Sequence, residues 1–522
     1  MDQPESYALL HWTSRHFFRV IPALLIAAAC AASVHAAEWR KLSTPRYTIY
    51  THTSDSLTRE VASDFDDFIG FLGRIIVVDP HRLKPLTIVI FADDGEFDPF
   101  KPRAADGRSI DYVSQEVPDA FTGSLTGVRD GWATIAMAAQ DYEYQTRHAA
   151  FAGGVYWYLN GLGIWAPSAV THGTAAMFST FKREISHVEM GIAPRGYERM
   201  LDQWRLVPVA QLFDTTQDEA IEGHNRVLFS VESWALAHYL MFAKEPVRRH
   251  AFAAFWQALR GGSTAEEALV KALGPEEAAA IDTNLRNYMH GMRYTMKVSV
   301  GEEPDNRDPI VPADPMEVEI ALAKAAMISG LDTAVTHAEA AVAASKGRPE
   351  AYDIRAEALA ASKPAPESVR QAVEEAMAHG SRSAWIVWAD ATFRFGRVGD
   401  PGTSAQDARA AVNLAERAAN LDLRFRPAFD LLARDLVFAD HVTDDDVKFL
   451  TFARTRFPSD RWVLIGQSAV CARRGDAAGE KRLREQALSE GGGLDPSQLA
   501  TIKVFVSGMG AASTVSEGVP KP

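Results

Sequence analysis

Arg147-His148-Ala149-Ala150-Phe151-Ala152, followed 24 residues after His148 by His172 in Trp165-Ala-Pro-Ser-Ala-Val-Thr-His172-Gly-Thr-Ala-Ala, is the stretch whose reading decides the fold of this 522-residue chain. Both histidines stand among small and apolar residues. A lone histidine in an apolar helix is ordinarily a satisfied core residue, so the weight falls on what accompanies the pair. Pro167-Ser168-Ala169-Val170 leads into His172-Gly173-Thr174-Ala175-Ala176-Met177-Phe178. Later comes Ser233-Trp234-Ala235-Leu236-Ala237-His238-Tyr239-Leu240.

Together these motifs resemble the gluzincin-like domains of bacterial exported proteins, over roughly residues 38 to 295. In that family two histidines four apart on a helix hold zinc. The Glu between them polarises the metal-bound water, and a later Glu in E-G-x-A is the third ligand. The resemblance implies an α+β gluzincin-like fold and puts His148 at the first ligand position. It puts Ala149 at the general base, Ala152 at the lost second ligand and His172 at the third. What it implies is a pseudo-metallopeptidase, with no catalytic residue, no zinc cofactor, and His148 and His172 as vestigial metal candidates. The alternative is a zinc metallopeptidase with an atypical His148/His172 site, its third ligand drawn from His224 or Glu232. Ser230 falls near a position where the family often carries Tyr. Ser233 lacks a hydrolase nucleophile elbow, and helical packing explains it.

Hydrophobic residues make up 47% of the chain, enough to pack two or three domains. The net charge of −14, with no Lys/Arg stripe, argues against nucleic acid as a partner. The first 36 residues read as an export signal. Arg15 and Arg19 form the basic flank, Val20 to Ala32 the apolar run, and Val34-His35-Ala36 the cleavage site. The expectation is a periplasmic or secreted protein with no later membrane span. An uncleaved N-terminal anchor, or a lipoprotein through Cys30, stands as the alternative. Cleavage leaves Cys471 as the one thiol, so no internal disulfide supports the fold.

Periodicity organises the remainder. Arg46 to His52, Leu86 to Phe91 and Ala133 to Ala138 read as strands. Leu57, Val61, Phe65, Phe68 and Leu72 mark one buried helix face, with Asp64, Asp66 and Asp67 turned to solvent. Tyr142, Tyr144, Tyr156, Trp157 and Tyr158 read as core, or as the wall of a peptide groove. The segments are a signal (1–36), the peptidase-like domain (37–298), a Pro-rich linker (299–315), helical repeats (316–492) and a tail (493–522), disordered from Gly508.

In the repeats Tyr352, Trp385, Phe429 and Trp462 follow one another at 33, 44 and 33 residues, each just inside a helix start. The longer step implies an insertion around Val398 to Gln406. Ala334, Ala338 and Ala341, and again Ala411, Ala415 and Ala418, give the small-residue spacing of closely packed helix pairs. This resembles tetratricopeptide (TPR) repeats, which implies an all-α, TPR-like domain and a predominantly helical chain. The functional expectation is an exported scaffold that binds a protein or peptide through polar residues of the inner repeat helices.

Overall fold

The computed structural model describes residues 38–103, 113–114, 117–118, 124–140, 142, 146–184, 187–194, 196–197, 200–201, 206–214, 224–242, 250–289, 296–299, 308–362, 365–395, 404–490 and 493–516. The export signal with its Ala36 site, Tyr144 and most of the expected insertion lie outside these residues. The described chain is predominantly helical, with 21 helices around a small mixed sheet.

The central sheet has the order β11-β1-β2-β3-β7-β6. Its strands are β1 (Arg40–Ser43), β2 (Tyr47–Thr51), β3 (Leu86–Phe91), β6 (Ser124–Val128), β7 (Ala133–Ala138) and β11 (Ile310–Pro312). β2, β3 and β7 run parallel, with Ile49 opposite Ile88 and Ile88 opposite Ile135. β1, β6 and β11 are antiparallel additions. Two-residue strands β4 (Val113–Ser114) and β5 (Val117–Pro118) pair with each other. β8 (Lys182–Arg183), β9 (His187–Met190) and β10 (Met296–Ser299) form a separate three-stranded sheet.

Every residue of β3 and β7 is buried, as parallel strands covered on both faces require. Successive side chains alternate between faces. Ile88, Ile90, Ile135 and Met137 therefore enter one core, beneath α1 (Asp55–Ile75). Val89, Phe91, Ala136 and Ala138 enter a second core, whose other wall is α11 (Pro315–Ile328). α1 starts on a Ser54 cap and buries Val61, Phe65, Phe68 and Leu72. Its acids are not turned to solvent as the sequence suggested. Asp64 accepts from Tyr142 (3.1 Å) and faces Arg147, and Asp67 pairs with Arg183 at 2.6 Å.

Between these layers the chain runs through the short α2 (Asp94–Phe97), then α3 (Arg147–Asn160), α4 (Ser168–Ser179), α5 (Val209–Asp214) and α6 (His224–Phe242). It continues through α7 (Ala251–Arg260), α8 (Ala265–Leu273), α9 (Pro275–Ala279) and α10 (Ile281–Met289). Small residues make α3 a close-packing element. A Cβ on Gly153 would lie 2.1 Å from Thr126 Oγ1 of β6, and one on Gly154 would meet the Phe65 and Phe68 rings of α1.

The expected linker is partly structural. Its Ile310–Pro312 segment pairs with β1 at the sheet edge, and α11 then packs on the sheet's second face. From there helices pair in sequence: α11 with α12 (Thr333–Ala344), α13 (Pro349–Ala361) with α14 (Pro366–Ala378), and α15 (Ala384–Phe395) with α16 (Ala405–Leu421). α17 (Arg426–Asp435) with α18 (Asp444–Arg456) and α19 (Arg461–Arg473) with α20 (Ala477–Leu488) complete the series.

Ala334, Ala338, Ala341, Ala411, Ala415 and Ala418 are all buried in these contacts. So are Tyr352 and Phe429, while Trp385 and Trp462 are half-buried. Within the tail, α21 (Leu499–Ser516) docks Ile502 into a cluster with Leu464, Ile465 and Leu494.

The far end of the array returns to the α/β unit. Arg456 donates to the carbonyls of Gly161 (3.1 Å) and Arg82 (2.8 Å), and Arg424 to that of Leu83 (2.9 Å). Gly163, at φ +68°, lets the chain pass so close to the Arg456 carbonyl that a Cβ would lie 2.2 Å from it.

Phe429 is fully buried against the rings of Phe449, Phe452 and Phe457. Phe429→Ala is expected to cost about 4 kcal/mol of stability, measured as a fall in the urea midpoint at an unchanged slope.

Candidate functional site

α3, α4 and α6 converge on a cleft of about 650 Å³, closed on its other sides by β6 and by the end of α11 at Ile328 and Ser329. Along α3 the cleft is lined by Ala149, Gly153, Tyr156 and Asn160, the three- and four-residue steps of one helix face. α4 contributes Ser168, Thr171 and His172, α6 contributes Phe229 and Ser230, and α7 contributes Trp256. A Cβ on Gly173 would lie 2.0 Å from the Ser233 carbonyl oxygen, so glycine there brings α4 directly against α6. That close approach places His172 within reach of Ser230.

His172 is held from both ring nitrogens. Nδ1 is 3.0 Å from Tyr156 Oη and Nε2 is 2.9 Å from Ser230 Oγ, with the Phe229 ring beside it. Tyr142, Trp157 and Tyr158 are core residues, so within the expected aromatic cluster Tyr156 alone of the described members reaches the cleft.

The residues do not fit a catalytic zinc. At the positions that the resemblance assigns to the base and the second ligand, Ala149 and Ala152 offer methyl groups. Ala149 does line the cleft, but Ala152 is 0% exposed and packs in the core with Val155. His148 shares the 148–152–155 stripe of α3 and is not part of the cleft wall. Its own burial, with the Arg147 charge beside it, pushes its imidazole down to about 4. Among the described residues no three His, Cys, Asp or Glu side chains gather as a ligand set.

Of the suggested third ligands, the His224 side chain lies outside the described residues. Glu232 points away from the cleft, and its Oε1 accepts the Val207 N–H at 2.8 Å. Its second oxygen, Oε2, is buried with no hydrogen-bond partner among the described residues. Ser233 Oγ is likewise buried without one, consistent with a packing role.

A second cavity, about 330 Å³, lies where the first helices of the array face the α/β unit. Its lining includes Trp132, Lys324, Asp353, Glu357 and Trp385. Trp132 Nε1 donates to Glu357 at 2.8 Å, and Lys324 Nζ sits 5.4 Å from the Trp132 ring centre. Burial raises the Glu357 carboxyl and lowers the Lys324 ammonium. The inner-helix face expected to hold a partner is thus partly covered by the protein's own sheet.

The sequence singles out His172, Ser230 and Tyr156 separately but does not join them. Ser230 is 58 residues away and Trp256 lies on another helix, so no spacing rule connects them. The one local sign was the small residue at Gly173.

Burial pushes the Glu232 carboxyl up to about 7, partly offset by the Val207 N–H. A carboxyl whose folded value exceeds its unfolded one binds its proton more tightly when folded. Its contribution is therefore full below the unfolded value of about 4.5 and is lost as pH rises through 7. Glu232→Gln should raise stability by about 2 kcal/mol at pH 8 and leave it nearly unchanged at pH 4.5, as read from denaturant melts at the two pH values.

Comparison of the chain with protein-family models, with curated proteins and with solved structures returned no match. The gluzincin and TPR resemblances therefore stand on the motifs themselves.

Proposed function

We propose that this chain is an exported, gluzincin-like pseudo-metallopeptidase carrying a TPR-like array, and that it works by binding a protein or peptide segment in the α3–α4–α6 cleft. The observation that carries the reading is the pair of methyl groups at Ala149 and Ala152, together with a His172 engaged on both nitrogens. Metal-activated water needs about three protein donors and a base, and these positions supply neither.

The cleft itself is of ligand size, with apolar and aromatic side chains interspersed with hydroxyl, amide and imidazole groups. The array takes part in it through Ile328 of α11 and Ser329, which follows that helix. Its remaining pairs brace the unit through Arg424 and Arg456, which supports a rigid frame around a preformed site. Among the described residues no helix is long and apolar enough to cross a membrane. Export to the periplasm, or secretion, follows from the N-terminal signal pattern.

The test is fluorescence anisotropy of labelled unstructured peptides with the mature chain, alongside metal analysis. Binding should be insensitive to chelator and should weaken by about tenfold or more in Thr171→Trp, which fills the cleft. No peptide should be cut. Stoichiometric zinc that disappears in His148→Ala and His172→Ala, accompanied by chelator-sensitive cleavage, would establish the zinc metallopeptidase alternative instead.

A further inference from the structure

We infer that Ser230 and His172 form a metal-free acyl-transfer centre acting on esters of apolar acids, an activity beyond the binding role and dependent only on the cleft admitting a ligand.

Ser230 Oγ and His172 Nε2 are 2.9 Å apart, and Tyr156 Oη holds Nδ1 at 3.0 Å. This is the arrangement of a hydroxyl nucleophile, its base and a group that orients the base. The direction of the hydrogen bond follows from burial. Ser230 is 1% exposed, and its Oγ makes one hydrogen bond among the described residues, to His172. Were Nε2 protonated and donating, the serine proton would be buried with no acceptor. The hydroxyl therefore donates to Nε2, the ring carries its proton on Nδ1, and Nδ1–H donates to Tyr156 Oη. In this tautomer the imidazole is already the acceptor of the serine proton.

A separate observation points to the oxygen that such chemistry charges. Trp256, 3% exposed and part of the same cleft wall, has an indole N–H that is buried with no acceptor among the described residues. Buried donors are rarely left unpaired. A substrate carbonyl would supply the missing acceptor, and the bond would strengthen as that oxygen becomes an oxyanion. The wall also carries Leu125, Ile164, Trp165 and Phe229, apolar side chains that suit a hydrocarbon acyl group, alongside polar ones such as Thr126, Asn160 and Thr171.

The reaction closes without a metal or an oxidant. Ser230 Oγ bonds to the ester carbonyl carbon as its proton passes to His172 Nε2, and the carbonyl electron pair moves onto oxygen. Collapse breaks the bond to the alkoxy group, which leaves as the alcohol with the imidazolium proton. Water then attacks the acyl-serine, giving its proton to Nε2. The second collapse releases the carboxylic acid and returns a proton to Ser230 Oγ. Ser230, His172 and Trp256 are the catalytic residues; Tyr156 is a positioning residue.

The test treats the purified mature chain with an alkyl fluorophosphonate, followed by peptide mass mapping, and measures p-nitrophenyl butyrate hydrolysis. One adduct is expected, on Ser230, absent in Ser230→Ala, strongly slowed in His172→Gln and retained in Ser233→Ala. Trp256→Phe should lower kcat by about 10²-fold, and Tyr156→Phe should lower kcat with KM unchanged. Folded wild-type protein that acquires no adduct on Ser230, or a Ser230→Ala variant as active as wild type, overturns the proposal. Peptide anisotropy on the same samples separates the two readings. Binding without adduct removes only the acyl-transfer centre, and an adduct without peptide binding removes only the binding role.

Discussion

Two apolar strands, Leu86–Phe91 and Ala133–Ala138, hold the molecule together because each supplies side chains to two cores at once. The odd–even alternation of a strand leaves no choice: if Ile88 and Ile135 pack under α1, then Val89 and Ala136 must be covered from the other side. α11 provides that cover. The first helix of the array is thus part of the sheet's own packing, and the segment before it adds an edge strand. Removing the array would expose a buried apolar face rather than free an independent module.

The same constraint shapes the cleft. With α11 fixed on the second face, its end closes one side of the space between α3, α4 and α6. The far repeats reach back to fix the other end of α3, where Arg456 donates to the Gly161 carbonyl beyond the helix. Arg456 is buried with carbonyl partners, and burial together with the neighbouring Arg82 charge pushes its guanidinium down to about 10. An arginine that satisfies exposed carbonyls at a helix end contributes both a hydrogen-bond cap and a favourable charge.

Close packing decides what each position around the cleft can hold. Small residues along α3 bring it against β6 and α1, which leaves Ala152 in the core while Ala149 lines the cleft. Where α4 meets α6, glycine gives the close approach that sets a histidine against a serine. A site shaped for a metal ion and a site shaped by neutral hydrogen bonds differ in charge. His172 is held between Tyr156 and Ser230 by hydrogen bonds that meet the polar needs of a half-buried ring.

Sequence determined the local pieces. The β-branched, aromatic and apolar runs located the three parallel strands, the three- and four-residue spacing located α1, and the recurring aromatics and alanines located the helix pairs, because each is a local composition or spacing that neighbours in sequence reveal. Tertiary structure alone decided that the linker is an edge strand, that Asp64 and Asp67 are paired, and that the array folds back on the sheet. It alone brought Tyr156, His172, Ser230 and Trp256 to one cleft. These follow from contacts between residues tens to hundreds of positions apart, set by close helix packing and by the two-sided sheet, and no periodicity in the chain encodes them.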